Sequence, residues 1–179
     1  MPTEENSAVG LLRHRREARE LEGRRYVMRE RLFDIGEDYW IETDDGQRAF
    51  KVNGKALRFR DTFVIEHPDG HQLAKIQERK LRVRDTIAIE LVDRTAIVRK
   101  ALIGPRNRYR VHMDGAPDLR VQGNLVDHEY DIESDGDTLA EVSKRWLRVR
   151  DTYGVEIYRG MDPVLILAIT VAIDAMSHD

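Results

Sequence analysis

The chain has 179 residues, of which 41% are hydrophobic and 35% are charged, and its formal net charge is −3. This length predicts one domain, and the low contents of glycine (12 residues) and proline (5 residues) exclude collagen-like and low-complexity chains. The sequence holds no cysteine, which excludes disulfide scaffolds, zinc–thiolate sites, iron–sulfur clusters and cysteine nucleophiles.

The first predicted element is a charged N-terminal segment over residues 1–23. Residues 11–25 (LLRHRREARELEGRR) lack proline and are compatible with a helix that stops near Gly23. Glutamates accompany the arginines, which favours a solvated, partly helical or flexible segment over a basic arm that contacts phosphate or a partner. Glu4 and Glu5 stand where a secretory signal would carry basic residues, so no signal peptide is predicted and a cytoplasmic location is expected.

Residues 24–179 form the predicted folded domain, and its most informative feature is an internal repeat. The repeat consists of an aromatic residue, then Ile-Glu, then Asp-Gly, then a Leu-Arg-apolar-Arg-Asp-Thr motif. The three copies are Tyr39–Thr62, Phe63–Thr86 and Tyr130–Thr152, and a weaker copy lies at Val111–Val121. A spacing of about 12 residues per strand is typical of all-β barrels and sandwiches, and it predicts about 11 strands before Gly160.

Each copy predicts a β-hairpin, because its Asp-Gly pair suits the positive φ angles of a tight turn. The turns are expected at Asp45-Gly46, Asp69-Gly70, Asp114-Gly115 and Asp135-Gly136. In the repeated motif the apolar and arginine residues alternate, so the arginines are expected on the solvent face of a strand. They are the predicted ligand-binding residues: Arg58, Arg60, Arg82, Arg84, Arg148 and Arg150. On adjacent strands they would form a ladder suited to phosphate, unless cross-strand carboxylates neutralise them.

The segment RKALIGPRNRYR adds basic residues around an aromatic one, as a nucleic-acid or headgroup site would. It places Tyr109 among a basic set along residues 80–110 that consists of Lys80, Lys100, Arg106, Arg108 and Arg110. A Gly-Pro turn that joins two strands is the favoured interpretation.

No catalytic motif is present, so no enzyme activity and no cofactor are predicted. His67 and His71 flank a predicted hairpin loop, and a metal there would need further ligands, so no metal site is predicted. Asp127-His128-Glu129 is interpreted as a solvated turn or strand. Trp40 and Trp146 are expected to pack in the core or at a barrel end.

The last predicted element is an apolar helix at the C-terminal end. Asp162 suits the N-cap and Pro163 the first helical position, and Val164–Ile173 shows no polar face. A helix that is apolar all round must be surrounded by protein or lipid. Ten residues rise only about 15 Å, too short for a bilayer, so a helix enclosed by a closed barrel is predicted and a transmembrane span is not.

Four stretches carry a family resemblance: RYVMRERLFDIGEDYWI, VNGKALRFRDTF, the repeated LRVRDT, and SKRWLRVRDTYGVEIYRGMDPVLILAITVAID. Together they resemble the LURP-one-related family of the Tubby C-terminal-like group over about residues 24–177. The resemblance implies a twelve-stranded antiparallel β-barrel threaded by one hydrophobic C-terminal helix. Tubby domains bind phosphoinositide headgroups through basic surface residues, but those residues do not map by motif onto this sequence.

The function expected from these observations is a non-enzymatic barrel that binds anionic phospholipid headgroups or other phosphate ligands on its surface. The expected location is therefore cytoplasmic and peripheral to a membrane. The alternative is an interaction scaffold for a protein, with nucleic acid disfavoured because the net charge is small. An uncharacterised enzyme is the third hypothesis, and it would require a polar pocket around a perturbed titratable group.

Overall fold

A computed structural model shows a closed antiparallel β-barrel around one helix, as the sequence predicted. It describes residues 23–29, 38–57, 60–81, 84–101, 108–147, 151–158 and 160–177. The predicted N-terminal segment lies outside the described residues up to position 22. Gly23, the expected stop of that helix, directly precedes the first strand, which begins at Arg24.

Twelve strands make up the described barrel, one more than the spacing predicted and as many as the resemblance implied. They are β1 Arg24–Arg29, β2 Tyr39–Thr43, β3 Arg48–Leu57, β4 Arg60–Glu66, β5 Gln72–Leu81, β6 Arg84–Leu91, β7 Thr95–Lys100, β8 Arg108–Met113, β9 Leu119–Asn124, β10 Glu129–Ser134, β11 Asp137–Ser143 and β12 Thr152–Ile157. Each strand pairs with its neighbours in sequence. The barrel closes where β1 pairs with β12, from Arg24 opposite Ile157 to Arg29 opposite Thr152.

The core lies inside the barrel because apolar residues alternate with polar ones along each strand. On β8, for example, Tyr109, Val111 and Met113 are buried, whereas the residues between them are exposed. Burying one Val, Leu, Ile or Met side chain stabilises the fold by about 1.5–3 kcal/mol, and each of the twelve described strands contributes at least one such residue to the core.

Helix α1 (Pro163–Ser177) fills the barrel, and Leu165–Asp174 is buried throughout. Asp162 caps it as predicted, because its Oδ1 accepts hydrogen bonds from the N–H groups of Val164 (2.9 Å) and Leu165 (3.4 Å). Fifteen residues of helix span about 22 Å, which matches the length of a six- or seven-residue strand. The helix packs against β5, β6, β7 and β12.

The repeated Ile-Glu and Asp-Gly pairs produce the same local structure in all three copies, a β-bulge followed by a tight turn. The strand register shifts at the Ile-Glu step of each copy, between Ile41 and Glu42, Ile65 and Glu66, and Ile132 and Glu133. The glycine of each following turn has a positive φ angle, for example +96° at Gly136. A bulge next to a tight turn increases the local twist, which helps the sheet to curve into a barrel.

The alternation of apolar and arginine residues predicted that the Leu-Arg-apolar-Arg-Asp-Thr motif lies within one strand. That prediction was wrong. In the first two copies the motif bridges two strands, because Leu57 pairs with Arg60 and Leu81 pairs with Arg84. In the third copy β11 ends at Ser143, and the N–H of Leu147 bonds to the carbonyl of Lys144 in a turn. Reversal of the chain, rather than a shared strand face, explains why this motif recurs.

The two tryptophans are half-buried, so neither lies in the core, and Trp146 is in the turn that follows β11, at an end of the barrel. The guanidinium of Arg48 lies 4.8 Å from the ring centre of Trp40, and that of Arg25 lies 4.8 Å from the ring centre of Trp146. Trp146 also covers Gly154, where an added Cβ would lie 2.8 Å from the indole Cε3 atom. Both indoles therefore hold arginine side chains in cation–π contacts.

Candidate anion-binding surface

Three arginines stand side by side on the outer wall of the barrel, on β7, β8 and β9. Arg99 lies directly opposite Arg110, and Arg110 lies directly opposite Arg120. Directly opposite residues of an antiparallel pair have Cβ atoms about 4.5–5.5 Å apart, so the three guanidinium groups share one surface. All three residues are exposed. We call Arg99, Arg110 and Arg120 the arginine ladder.

The position of the arginine ladder follows from the core residues beside it. Val98, Val111 and Val121 are each 0% exposed, and each is the immediate neighbour in sequence of one ladder arginine. Successive side chains of a strand point to opposite faces of the sheet. Burial of the three valines therefore turns the three arginines toward solvent.

The arginine ladder is a concentration of positive charge without a salt bridge of its own among the described residues. Like charges directly opposite each other destabilise a sheet. Within the described part of the chain, no salt bridge or hydrogen bond joins the side chain of a ladder arginine to another residue. Other arginines do find carboxylates, since Arg25 Nη2 lies 2.9 Å from Glu156 Oε2 and Arg94 Nη2 lies 2.5 Å from Asp162 Oδ2. The ladder is thus suited to an anion from outside the chain.

Further polar residues border the arginine ladder. Arg108 precedes Arg110 by two positions, so it lies on the same face, and it is exposed. Lys100 is exposed too, but it lies opposite the core-facing Tyr109 and so belongs to the other face. Glu133 lies opposite Arg120 and limits the basic surface on that side, where its Oε1 accepts a hydrogen bond of 2.9 Å from Gln122 Nε2. Planar guanidinium groups donate paired hydrogen bonds to phosphate oxygens, so phosphate is the anion that this geometry fits best.

The arginine ladder uses other residues than those predicted to bind phosphate. Arg58, Arg82, Arg148 and Arg150 lie outside the described residues. Arg60 and Arg84 are the first residues of β4 and β6, and for them the description ends at the backbone. A binding role for these six residues stays a prediction.

Part of the ladder was visible in the basic segment RKALIGPRNRYR, which contains Arg99 and Arg110. The favoured interpretation of this segment, a connection between two strands, is confirmed, because β7 ends at Lys100, β8 begins at Arg108, and the N–H of Ala101 bonds to the carbonyl of Arg108. Tyr109 is 3% exposed and faces the core, so it is not a stacking platform for a base.

An acidic row lies on the neighbouring strands β10, β11 and β12. Asp131 is opposite Glu141, and Glu141 is opposite Glu156. Burial, followed by repulsion from Glu141 and Glu133, raises the pKa of Asp131 above its usual value. Burial and a 3.0 Å hydrogen bond to Glu141 raise the pKa of Tyr158 to about 12. We call Asp131, Glu141 and Glu156 the acidic row.

A second group of titratable residues is enclosed between helix α1 and the barrel wall. The Tyr153 hydroxyl donates a 2.5 Å hydrogen bond to Asp174 Oδ2, and Asp174 is 2% exposed. His128 Nε2 lies 3.2 Å from Asp174 Oδ1 outside hydrogen-bond geometry, and its ring stacks on Tyr153 with centres 4.2 Å apart. Burial, then the negative charge of Asp174, raises the pKa values of Tyr39, Tyr130 and Tyr153 well above 10.

The enclosed position of His128 corrects the prediction of a solvated turn or strand at residues 127–129. His128 is 3% exposed and has a φ angle of +51°, an unusual conformation that turns its imidazole inward. Glu129 is also engaged, because it accepts hydrogen bonds from the Ser143 hydroxyl (2.9 Å) and the Lys144 N–H (3.1 Å). No signal in the sequence distinguished this histidine from an exposed one.

Comparisons with known proteins agree with this description. The family profile described as LURP-one-related matches residues 24–174. A solved structure of a protein from Arabidopsis thaliana is similar, with a TM-score of 0.55 and 15% sequence identity, over 89% of this chain and 95% of that one. At this identity the likeness shows the fold alone. No curated protein sequence matches the chain. Among the described residues, no helix has the length and apolar character needed to cross a membrane.

Proposed function

This chain belongs to the LURP-one-related family, and from that premise we propose that it is a non-enzymatic barrel that binds anionic phospholipid headgroups through its surface. The register that aligns Arg99, Arg110 and Arg120 on adjacent strands carries the proposal. The non-enzymatic part is supported by the enclosure of His128 and Asp174, whose side chains are at most 4% exposed and out of reach of a substrate.

A membrane face suits the arginine ladder better than a free small anion does. The ladder lies on the outer wall of the barrel and its residues are exposed, so a small anion would stay largely hydrated there. An anionic membrane instead presents many headgroups in one plane, and each arginine near that plane contributes about 1 kcal/mol to binding. Three arginines would therefore contribute about 3 kcal/mol, which corresponds to about a hundredfold in affinity.

Liposome co-sedimentation tests the proposal. We expect the full chain to bind phosphatidylcholine vesicles that contain a phosphoinositide, and to bind pure phosphatidylcholine vesicles much more weakly. Replacing Arg99, Arg110 and Arg120 by glutamine should reduce binding by about a hundredfold. The corresponding lysine variant should retain part of the binding, because charge remains but the paired donors are lost.

A matched control removes the same charge elsewhere. Arg24, Arg29 and Arg145 are exposed, and replacing them by glutamine changes the net charge from −3 to −6, as the ladder variant does. This control should bind like the unmodified chain. Equal losses in the two variants, or equal binding to neutral and anionic vesicles, would contradict the proposal.

A protein-interaction scaffold is the second candidate, and the acidic row favours it. Glu156 is already paired with Arg25, but Asp131 and Glu141 lie directly opposite each other and repel, so a basic segment of a partner would relieve that repulsion. A pull-down with the full chain should then capture a basic partner that is lost when Asp131 and Glu141 are replaced by their amides. Unchanged capture by that variant would exclude the acidic row as the interface.

A further inference from the structure

The hairpin between β4 and β5 brings two histidines and an aspartate together. The N–H of His67 bonds to the carbonyl of His71 at 2.9 Å, so the two histidines stand side by side at the base of the turn. The N–H of Gly70 bonds back to the carbonyl of His67 at 2.8 Å, and Gly70 has a φ angle of +95°. Asp69 lies at the tip of this turn, between the two histidines in sequence.

The side chains of these three residues converge. Asp69 Oδ2 lies 3.1 Å from His67 Nδ1, and Asp69 Oδ1 lies 2.5 Å from His71 Nδ1. The candidate ligand atoms of all three residues lie within 4.8 Å of one another. The two imidazole rings are stacked, with centres 4.9 Å apart and planes inclined by 21°. The sequence showed two histidines in a loop without further ligands, whereas the fold supplies Asp69 as the third.

The hydrogen bonds of the turn orient these atoms toward one point. The N–H of Asp69 lies 3.4 Å from His67 Nδ1. The N–H of His71 donates to Asp69 Oδ1 at 3.1 Å and holds the carboxylate in place. The ring nitrogen of His67 and a carboxylate oxygen of Asp69 thus face each other across 3.1 Å, a separation that a cation bound to both atoms would span.

We propose that His67, Asp69 and His71 form a surface site for a divalent transition-metal ion such as Zn²⁺ or Cu²⁺. Imidazole nitrogen together with one carboxylate suits these ions, whereas Mg²⁺ and Ca²⁺ prefer oxygen ligands. The metal–ligand bonds would be about 2.0–2.2 Å long, with water in the remaining positions. The three side chains are 48%, 58% and 60% exposed, so they are free to adjust and the ion can enter without opening the barrel.

Isothermal titration of the full chain with Zn²⁺ tests this site. We expect one ion per chain, and we expect Asp69→Asn, His67→Ala and His71→Ala each to weaken binding by about tenfold or more. Mg²⁺ at the same concentrations should not compete. The Cu²⁺ form should show two nitrogen ligands in its electron paramagnetic resonance spectrum, and His71→Ala should remove one of them.

His112 provides a matched control. It is also an exposed histidine beside carboxylates, with Nδ1 2.8 Å from Asp118 and Nε2 3.4 Å from Asp114, but no second histidine faces it in the described structure. His112→Ala should leave Zn²⁺ affinity unchanged. The proposal is overturned if this variant loses as much affinity as His71→Ala, or if the chain without His67 and His71 binds Zn²⁺ as tightly as the unmodified chain.

Discussion

Asp174 places one carboxylate on an otherwise apolar helix, in the interior of the barrel. A buried carboxylate costs free energy unless donors satisfy it, and the Tyr153 hydroxyl is the donor described here. The hydroxyl oxygen of Tyr39 is also buried, but it has no hydrogen-bond partner in the described structure. Two tyrosines with buried hydroxyl groups therefore make different contributions to stability.

We expect Tyr153→Phe and Tyr39→Phe to have unequal effects on the free energy of unfolding. Loss of a hydrogen bond to a charged group costs about 1.5–3 kcal/mol, so Tyr153→Phe should destabilise the protein by that amount. Tyr39→Phe removes a hydroxyl that lacks a partner, and it should leave stability unchanged or raise it. Urea denaturation monitored by circular dichroism measures both, and equal losses would show that Asp174 does not depend on the Tyr153 hydroxyl.

The sequence could not predict this group of residues. Asp174 was visible only as the residue that ends an apolar run, and His128 only as one of three polar neighbours. Their contact joins positions 46 residues apart and depends on the positive φ angle at His128, which residue type alone does not indicate. The cap at Asp162 was predictable because its partners are two and three residues away.

At the scale of elements, helix α1 forms the centre of the core, because the barrel strands pack around it. Leu167 is fully buried in it. Leu167→Asp would leave an unpaired charge in the core, at a cost of at least about 3–5 kcal/mol, so we expect this variant to be unfolded or aggregated. Leu167→Ala should remain folded and lose about 2–5 kcal/mol in urea denaturation.

Val92 offers a control for these helix variants, because it is 84% exposed in the turn between β6 and β7. Val92→Asp should change the free energy of unfolding by less than about 0.5 kcal/mol. A Leu167→Asp protein that stayed folded and soluble would mean that α1 is peripheral to the barrel.

Hairpins and helix could be predicted because their signals are local, whereas the arginine ladder could not. The ladder depends on which residue of β7 lies opposite which residue of β8 and β9, and register is fixed by the whole set of buried side chains. The alternation of Val98 with Arg99 predicts an exposed arginine but not its neighbour. The prediction that the repeated LRFRDT-type motif lies in one strand failed for the same reason. Its period of two continues across a point where the chain turns back.

For the whole molecule, the three buried tyrosines predict a loss of stability at alkaline pH. Their pKa values are raised in the folded state, so the folded protein binds more protons than the unfolded chain above about pH 10. The stability that these tyrosines contribute is therefore fully present below pH 10, and it is lost as the pH rises further. Above pH 10 each tyrosine lowers the free energy of unfolding by about 1.4 kcal/mol per pH unit, so the three together lower it by about 4 kcal/mol per pH unit.

Urea denaturation between pH 8 and pH 11 measures this loss, and tyrosinate absorbance near 295 nm follows the ionisation. We expect Tyr39, Tyr130 and Tyr153 to ionise only when the barrel unfolds. Tyr39→Phe should reduce the pH dependence by about one third. Ionisation of all six tyrosines of the chain with a pKa near 10, without unfolding, would contradict the enclosure of the three.

The pairing of β1 with β12 has a consequence for biosynthesis. The hydrogen bond from Arg25 to Glu156 joins residues 131 positions apart, so the seam cannot form until β12 has left the ribosome. Helix α1, which fills the interior, is translated later still. A nascent chain thus carries the apolar faces of its strands without the helix that covers them, and slow pairing of distant strands prolongs that exposure. The order of the elements therefore delays closure of the barrel until β12 and α1 have both been synthesised.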